Sequence, residues 1–146
     1  MSLVECGFAG AADHLVRTGP TLKVLIGFDP VFRADSGAMP QLPATDYAAL
    51  IDTGAQESCI DVEVAAALEL PVIDENLVSG VHGPAPVNVH LAQIRIPALD
   101  FIQSGRFFCV HLRAGGQQHN ALLGRTFLRG LTMAYSGRSG SVRLYR

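Results

Sequence analysis

Apolar positions along the 146-residue chain come in short runs broken by Gly, Pro and Asp. That is the pattern of many short strands joined by turns. TLKVLIGF (21–28) alternates as a strand does, and the Pro-, Gly- and Asp-rich DPVFRADSGAMPQLPA (29–44) reads as a loop. DYAALID (46–52) reads as a second strand, whose period of two sets Leu50 and Asp52 on one face and Ala49 and Ile51 on the other. Asp61 stands at the N-cap of a helix VEVAAALEL, with Glu63 in the first turn and Pro71 as its stop. Residues 71–96 read as strand, Gly-rich turn, strand. FFCVHL (107–112) is a further strand, followed by a turn at Ala114, Gly115 and Gly116. ALLG (121–124) is a short buried strand, RTFLRG a helical turn closed by Gly130, and LTMAY and SVRLYR flank SGRSG as a terminal hairpin. The elements predict one all-β domain with one or two short helices, folded as a small closed barrel over 21–146. Residues 1–20 read as an N-terminal extension, free to be flexible.

Composition narrows the classes. Hydrophobic residues make up 49% and mean hydropathy is +0.28, apolar enough that self-association would bury some of the surface. Apolar runs fall well short of the ~18 residues of a membrane helix, and the first twenty residues lack a basic start and carry Glu5 and Asp13, which makes a poor secretory signal. No membrane partner is expected. Three cysteines without a C-x-x-C pair point to reduced thiols in a cytoplasmic protein. Five scattered histidines show no zinc spacing, so neither a metal nor another cofactor is expected. All thirteen acids lie at or before Asp100, and seven arginines follow it. Those arginines form no run and have no accompanying aromatic motif, which argues against nucleic acid as a partner.

The segment that carries chemistry is ALIDTGAQESCID (49–61). An apolar strand runs into Asp52-Thr53-Gly54-Ala55, which would hold a carboxylate at the rim of a sheet, with a hydroxyl beside it and a glycine that lets another backbone come close. A lone D-T-G is a weak signal, because these residues are common in turns. About seventy residues later comes ALLGRTFL (121–128), two apolar residues, a Gly and a short helix.

The pair "hydrophobic-hydrophobic-D-T-G-A" and "hydrophobic-hydrophobic-G-R-x-x-L" resembles the retropepsin family, the retroviral-type single-domain aspartic proteases and their bacterial relatives. The likeness spans roughly 21–146. VSGVHGPAPVNVH (78–90) sits where that family has its flap hairpin. The resemblance implies Asp52 as the catalytic carboxylate and Thr53, Gly54 and Ala55 as the active-site turn, with Thr53 bonding to its twin across a dimer. It implies a flap tip at Gly80, Val81, His82 and Gly83, and a supporting loop of Leu122, Leu123, Gly124 and Arg125. In retroviral members the arginine pairs with an acid just after D-T-G-A. Here that place is taken by Gln56, and the next residue, Glu57, is the available substitute.

Amide hydrolysis by this route needs a base to activate water and an acid to protonate the carbonyl oxygen. Two carboxylates sharing a proton do both. Asp46, Asp61, Asp74 and Asp100 lack a following Thr-Gly, so the second Asp52 must come from a symmetry mate. The expected protein is therefore a homodimeric aspartic endopeptidase acting on extended peptide or protein substrates. The alternative is a catalytically silent peptide-binding module on the same fold. An aspartyl-phosphate enzyme would need an acid where Gly54 stands, and a Cys59 nucleophile has no evident base.

Overall fold

The computed structural model describes residues 1–146, apart from the surroundings of Gly80, which is placed only by its backbone pairing. The strands are β1 (Leu3–Glu5), β2 (Thr21–Gly27), β3 (Tyr47–Ile51), β4 (Cys59–Asp61), β5 (Val72–Gly80), β6 (Gly83–Ile96), β7 (Phe101–Val110), β8 (Ala121–Leu123), β9 (Thr132–Ser136) and β10 (Ser141–Tyr145). Three short helices join them: α1 (Ala12–Thr18), α2 (Val62–Ala67) and α3 (Arg125–Leu128). Seven strands form one sheet in the order β2-β3-β8-β4-β7-β6-β5, and β1-β10-β9 form a second.

An added pairing of β2 with β6 (Leu25 opposite Arg95) brings the start of the row back against its far side, so the large sheet curls round a core. The expected closed barrel is corrected in one respect. β4 is only three residues long and covers β7 only at Phe108–Val110, so among the described residues the first half of β7 pairs with no strand on that side. Alternation explains what fills the curl. Val24, Ile26, Ala49, Ile51, Ile60, Ile94, Phe107 and Leu123 all point inward and are buried. Phe127 of α3 joins them and meets Phe101 edge to face at 5.4 Å.

Residues 1–20 contain β1 and α1. β1 pairs antiparallel with β10 of the same chain, and Cys6 and Leu15 enter the core beside Val142 and Leu144. Gly7 and Gly140 allow this close contact: a Cβ at Gly7 would fall 2.3 Å from the Gly140 carbonyl oxygen.

Local expectations are corrected in three places. Asp61 occupies the N-cap position of α2, but its carboxylate does not cap the helix. It accepts the N–H groups of Leu112 (2.9 Å) and Arg113 (3.2 Å), tying the 111–120 loop to β4. α2 also ends at Ala67, well before Pro71, because Glu69 takes a left-handed backbone (φ 51) that turns buried Leu70 into the core. Gly130 does not close α3 through a positive φ. It is small because a Cβ there would sit 3.0 Å from the Phe101 ring.

Candidate active site

Asp52 is the first residue after β3. β3 and β8 run parallel, with Ile51 opposite Leu123, and the Asp52 N–H donates to the Leu123 carbonyl at 3.0 Å. The chain then reverses. Ala55 N–H returns to the Asp52 carbonyl (3.2 Å), while Gly54 N–H donates to Asp52 Oδ1 (3.0 Å). This side-chain-to-main-chain bond fixes the carboxylate over its own turn. At Gly54 space is tight: a Cβ there would lie 3.1 Å from Asp52 Oδ1, which would have to shift by a few tenths of an ångström. Asp52 is half-buried, whereas Thr53 and Gly54 are exposed. The turn therefore offers one carboxylate and one hydroxyl at a rim.

The turn is riveted to the second motif. Arg125 N–H donates to the Ala55 carbonyl (2.9 Å) and Thr126 N–H to the Gln56 carbonyl (3.0 Å). Buried Ser58 accepts Gly124 N–H on Oγ at 3.0 Å. No side chain fits at Gly124, where a Cβ would be 2.6 Å from the Glu57 carbonyl oxygen. Each such bond contributes about 1 kcal/mol net, and together they hold residues 52–58 against 123–126. Leu123 is fully buried behind the turn.

The Arg125–acid pair does not form. Arg125 Nη1 donates instead to the Thr53 carbonyl at 2.7 Å, and Glu57 accepts the Thr126 hydroxyl at 3.3 Å. With Gln56 uncharged and Glu57 turned to α3, the guanidinium finds its acceptor on the turn itself. Ser58 and Thr126 were not distinguished by the sequence patterns as contacts of this turn. Their only signal was their place within the two motifs.

The expected flap residues lie on the β5–β6 hairpin. Gly80 pairs with Gly83 around Val81 and His82, and Gly83 has the positive φ (94) such a tight turn favours. Of Gly80, the surroundings lie outside the described residues. Val81 is 98% exposed and Leu77 is 71% exposed. Among the described residues, the hairpin tip makes no hydrogen bond to the Asp52 turn within the chain. The hairpin's root is tied down by Arg106, which pairs with Asp74 at 2.9 Å across β6. That ion pair and the Glu75 N–H hold Asp74 below the usual carboxylate range, the backbone bond contributing most. Buried His90 adds a bond from Nδ1 to the Leu70 carbonyl at 2.8 Å.

Cys59 sits near enough to feel the site. Its pKa is pushed up to about 11, first by burial and then by the charges of Asp52 and Glu57. Such a thiol stays protonated at neutral pH, which removes it as a nucleophile. Burial raises Cys6 and Cys109 to about 12. Among the described residues, no three His, Cys, Asp or Glu side chains cluster as metal ligands, and no helix is long and apolar enough to cross a membrane.

A strand-end Asp-Thr-Gly turn locked to a Gly-Arg helix is the arrangement of an aspartyl protease. The family model described as "Aspartyl protease" matches residues 43–127, more than half of the chain, and the chain belongs to that family. The fold is similar to that of a retropepsin-like aspartic protease from Rickettsia conorii (12% identity, 97% of this chain and 90% of that one, TM-score 0.55). Similarity also extends to EIAV protease complexed with the inhibitor HBY-793 (19% identity, 76% and 86%, TM-score 0.49) and to simian foamy virus protease (16% identity, 75% and 91%, TM-score 0.47). No curated protein matches the sequence.

Proposed function

We propose that the protein is an aspartic endopeptidase whose working unit is a two-fold homodimer, with Asp52 of each copy forming the catalytic pair. The observation that carries this is the Asp52 turn: a single carboxylate at a rim, aimed by Gly54 N–H, in a chain with only one Asp-Thr-Gly. One Asp52 alone supplies either a base or an acid, not both. Two in contact cannot both be ionised, so they hold one proton between them. The ionised member takes a proton from water, which attacks the peptide carbonyl. The protonated member gives its proton to the carbonyl oxygen. Collapse of the tetrahedral species breaks the C–N bond as the amine leaves protonated. The exposure of Thr53 beside Asp52 supports its meeting a twin across the dimer, and the exposure of the Val81–His82 tip supports its covering an extended substrate. Cys6, Cys59 and Cys109 are all unpaired, in keeping with a reducing, cytoplasmic setting.

The test is turnover of a quenched fluorescent peptide by the purified chain. Asp52→Asn should lower kcat by at least about a thousandfold, and a hydroxyl-bearing transition-state mimic should block the wild type. Peptide binding that survives without turnover in the wild type would favour the silent module instead.

A further inference from the structure

Outside its own turn, Asp52 hangs from the fold by its N–H, which donates to the Leu123 carbonyl at 3.0 Å. That carbonyl belongs to the Leu123–Gly124 peptide group, which is planar and trans, so the N–H of the group points the opposite way. This N–H meets Ser58 Oγ at 3.0 Å, in a buried contact. One peptide group thus carries Asp52 on its oxygen and Ser58 on its nitrogen. Hydrogen bonds in such a chain polarise one another, so the Ser58 contact strengthens the hold on Asp52. Ser58 is itself fixed from behind, because its carbonyl accepts Phe108 N–H of β7 at 3.3 Å. A line of bonds therefore runs from the sheet at Phe108, through Ser58 and the Leu123–Gly124 group, to the rim at Asp52.

The ladder explains why a side chain is used here. β4 pairs with β8 only as far as Cys59, opposite Leu122. Gly124 lies past that register, where β8 gives way to α3. Ser58 directly precedes β4, and its hydroxyl supplies the acceptor at the point where the strand pairing stops. Alanine at this place would strand a buried N–H, and an unmade buried bond is costly. The Leu123–Gly124 plane would then tilt towards whatever acceptor it could find.

We propose that Ser58 is a positioning residue for the reaction, setting the placement of the Asp52 carboxylate by fixing the peptide group on which Asp52 hangs. The inference rests on the protease reading for its effect on rate, and on the hydrogen bonds alone for its effect on Asp52. A carboxylate that shares a proton with a twin works only at contact distance, so a small displacement is expensive. A tilt of the Leu123–Gly124 plane moves the Asp52 main chain, and the Gly54 bond to Oδ1 moves with it. Ser58 is 2% exposed and has no surface to offer a substrate. Its loss therefore falls on kcat and leaves KM alone.

The test compares the wild type with Ser58→Ala, Ser58→Thr and Val142→Ala, each as the full chain and each well below its Tm. Val142→Ala is the control for plain destabilisation: Val142 is buried in the small sheet, whereas Asp52 hangs from the large one. Amide hydrogen exchange at Asp52 needs no turnover. It should be at least about tenfold faster in Ser58→Ala than in Val142→Ala. Ser58→Thr keeps the hydroxyl and should return it to within about threefold of the wild type. With a quenched fluorescent peptide, Ser58→Ala should lower kcat by at least about tenfold while KM stays within about twofold, and Ser58→Thr should recover kcat. If Ser58→Ala fails to fold, Ser58→Cys takes its place with the same expectations, because sulfur is a weaker acceptor. Asp52 exchange no faster than in Val142→Ala, an unchanged kcat, or a loss confined to KM would each overturn the role of Ser58. The protease reading fails separately, through a wild type that does not cleave or undiminished turnover by Asp52→Asn. Exchange at Asp52 then still decides whether Ser58 holds it.

Discussion

Arg125 donates to the main-chain carbonyl of Thr53 at 2.7 Å, so the arginine after the second motif's glycine braces the very residue beside the candidate catalytic carboxylate. It is an exposed charge-assisted bond to backbone, and its benefit is local: it limits how Thr53 can move. Arg125→Ala should lower stability by only about 1 kcal/mol, or about 4 °C in Tm. Activity should fall by a larger factor, because the turn loses its aim. Arg125→Lys should recover Tm better than activity, since an ammonium lacks the planar fork. Equal loss in both assays would show the contact to be merely structural.

Gly124 has the opposite profile. Any side chain there meets the Glu57 main chain at 2.6 Å, and main chain cannot swing aside. Gly124→Ala should cost about 2–4 kcal/mol in denaturant unfolding and displace the Asp52 turn with it. A fully stable Gly124→Ala protein would mean that the two segments are not locked as described.

His119 makes the fold sensitive to acid. It is 2% exposed, its Nε2 meets Thr21 Oγ1 at 2.7 Å, and its Nδ1 has no partner among the described residues. Burial lowers its pKa below the ordinary 6.5. The unfolded chain therefore binds a proton that the folded chain refuses. Stability is intact above 6.5 and is lost as pH falls from 6.5 towards the lowered value. Tm should drop between about pH 7 and about pH 5, and His119→Gln should flatten that slope. An unchanged slope in the variant would clear His119.

Cys59 reports on the carboxylates around it. Because Asp52 and Glu57 both raise its pKa, Asp52→Asn should speed alkylation of Cys59 by iodoacetamide by more than about twofold at constant pH. A rate independent of that substitution would place the thiol beyond reach of the Asp52 charge.

Parts of the molecule set by local patterns were legible in the sequence. Strand β3 and its Asp52 turn follow from alternation plus a triplet with one comfortable geometry. The β9–β10 hairpin follows from its glycines. What was hidden depended on partners far along the chain. FIQSGR at the start of β7 breaks its apolar pattern, and pairing with β6 makes it a strand anyway. Asp61 has the local preference of a helix cap, yet the amides of Leu112 and Arg113 outcompete the helix for its carboxylate. Arg125 shows the same limit at the site. The motif supplied the residue, but only the fold could reveal that its acceptor is a carbonyl and not an acid.

The pairing of Leu3–Glu5 with Arg143–Tyr145 inside one chain bears on how assembly could be regulated. These two strands are stitched to each other in the small sheet, so the edges they share are not on offer to a neighbour. In the proposed homodimer, the two copies would join without exchanging these strands. Such copies could part on dilution and meet again intact, so that concentration, rather than refolding, would govern the proposed pairing.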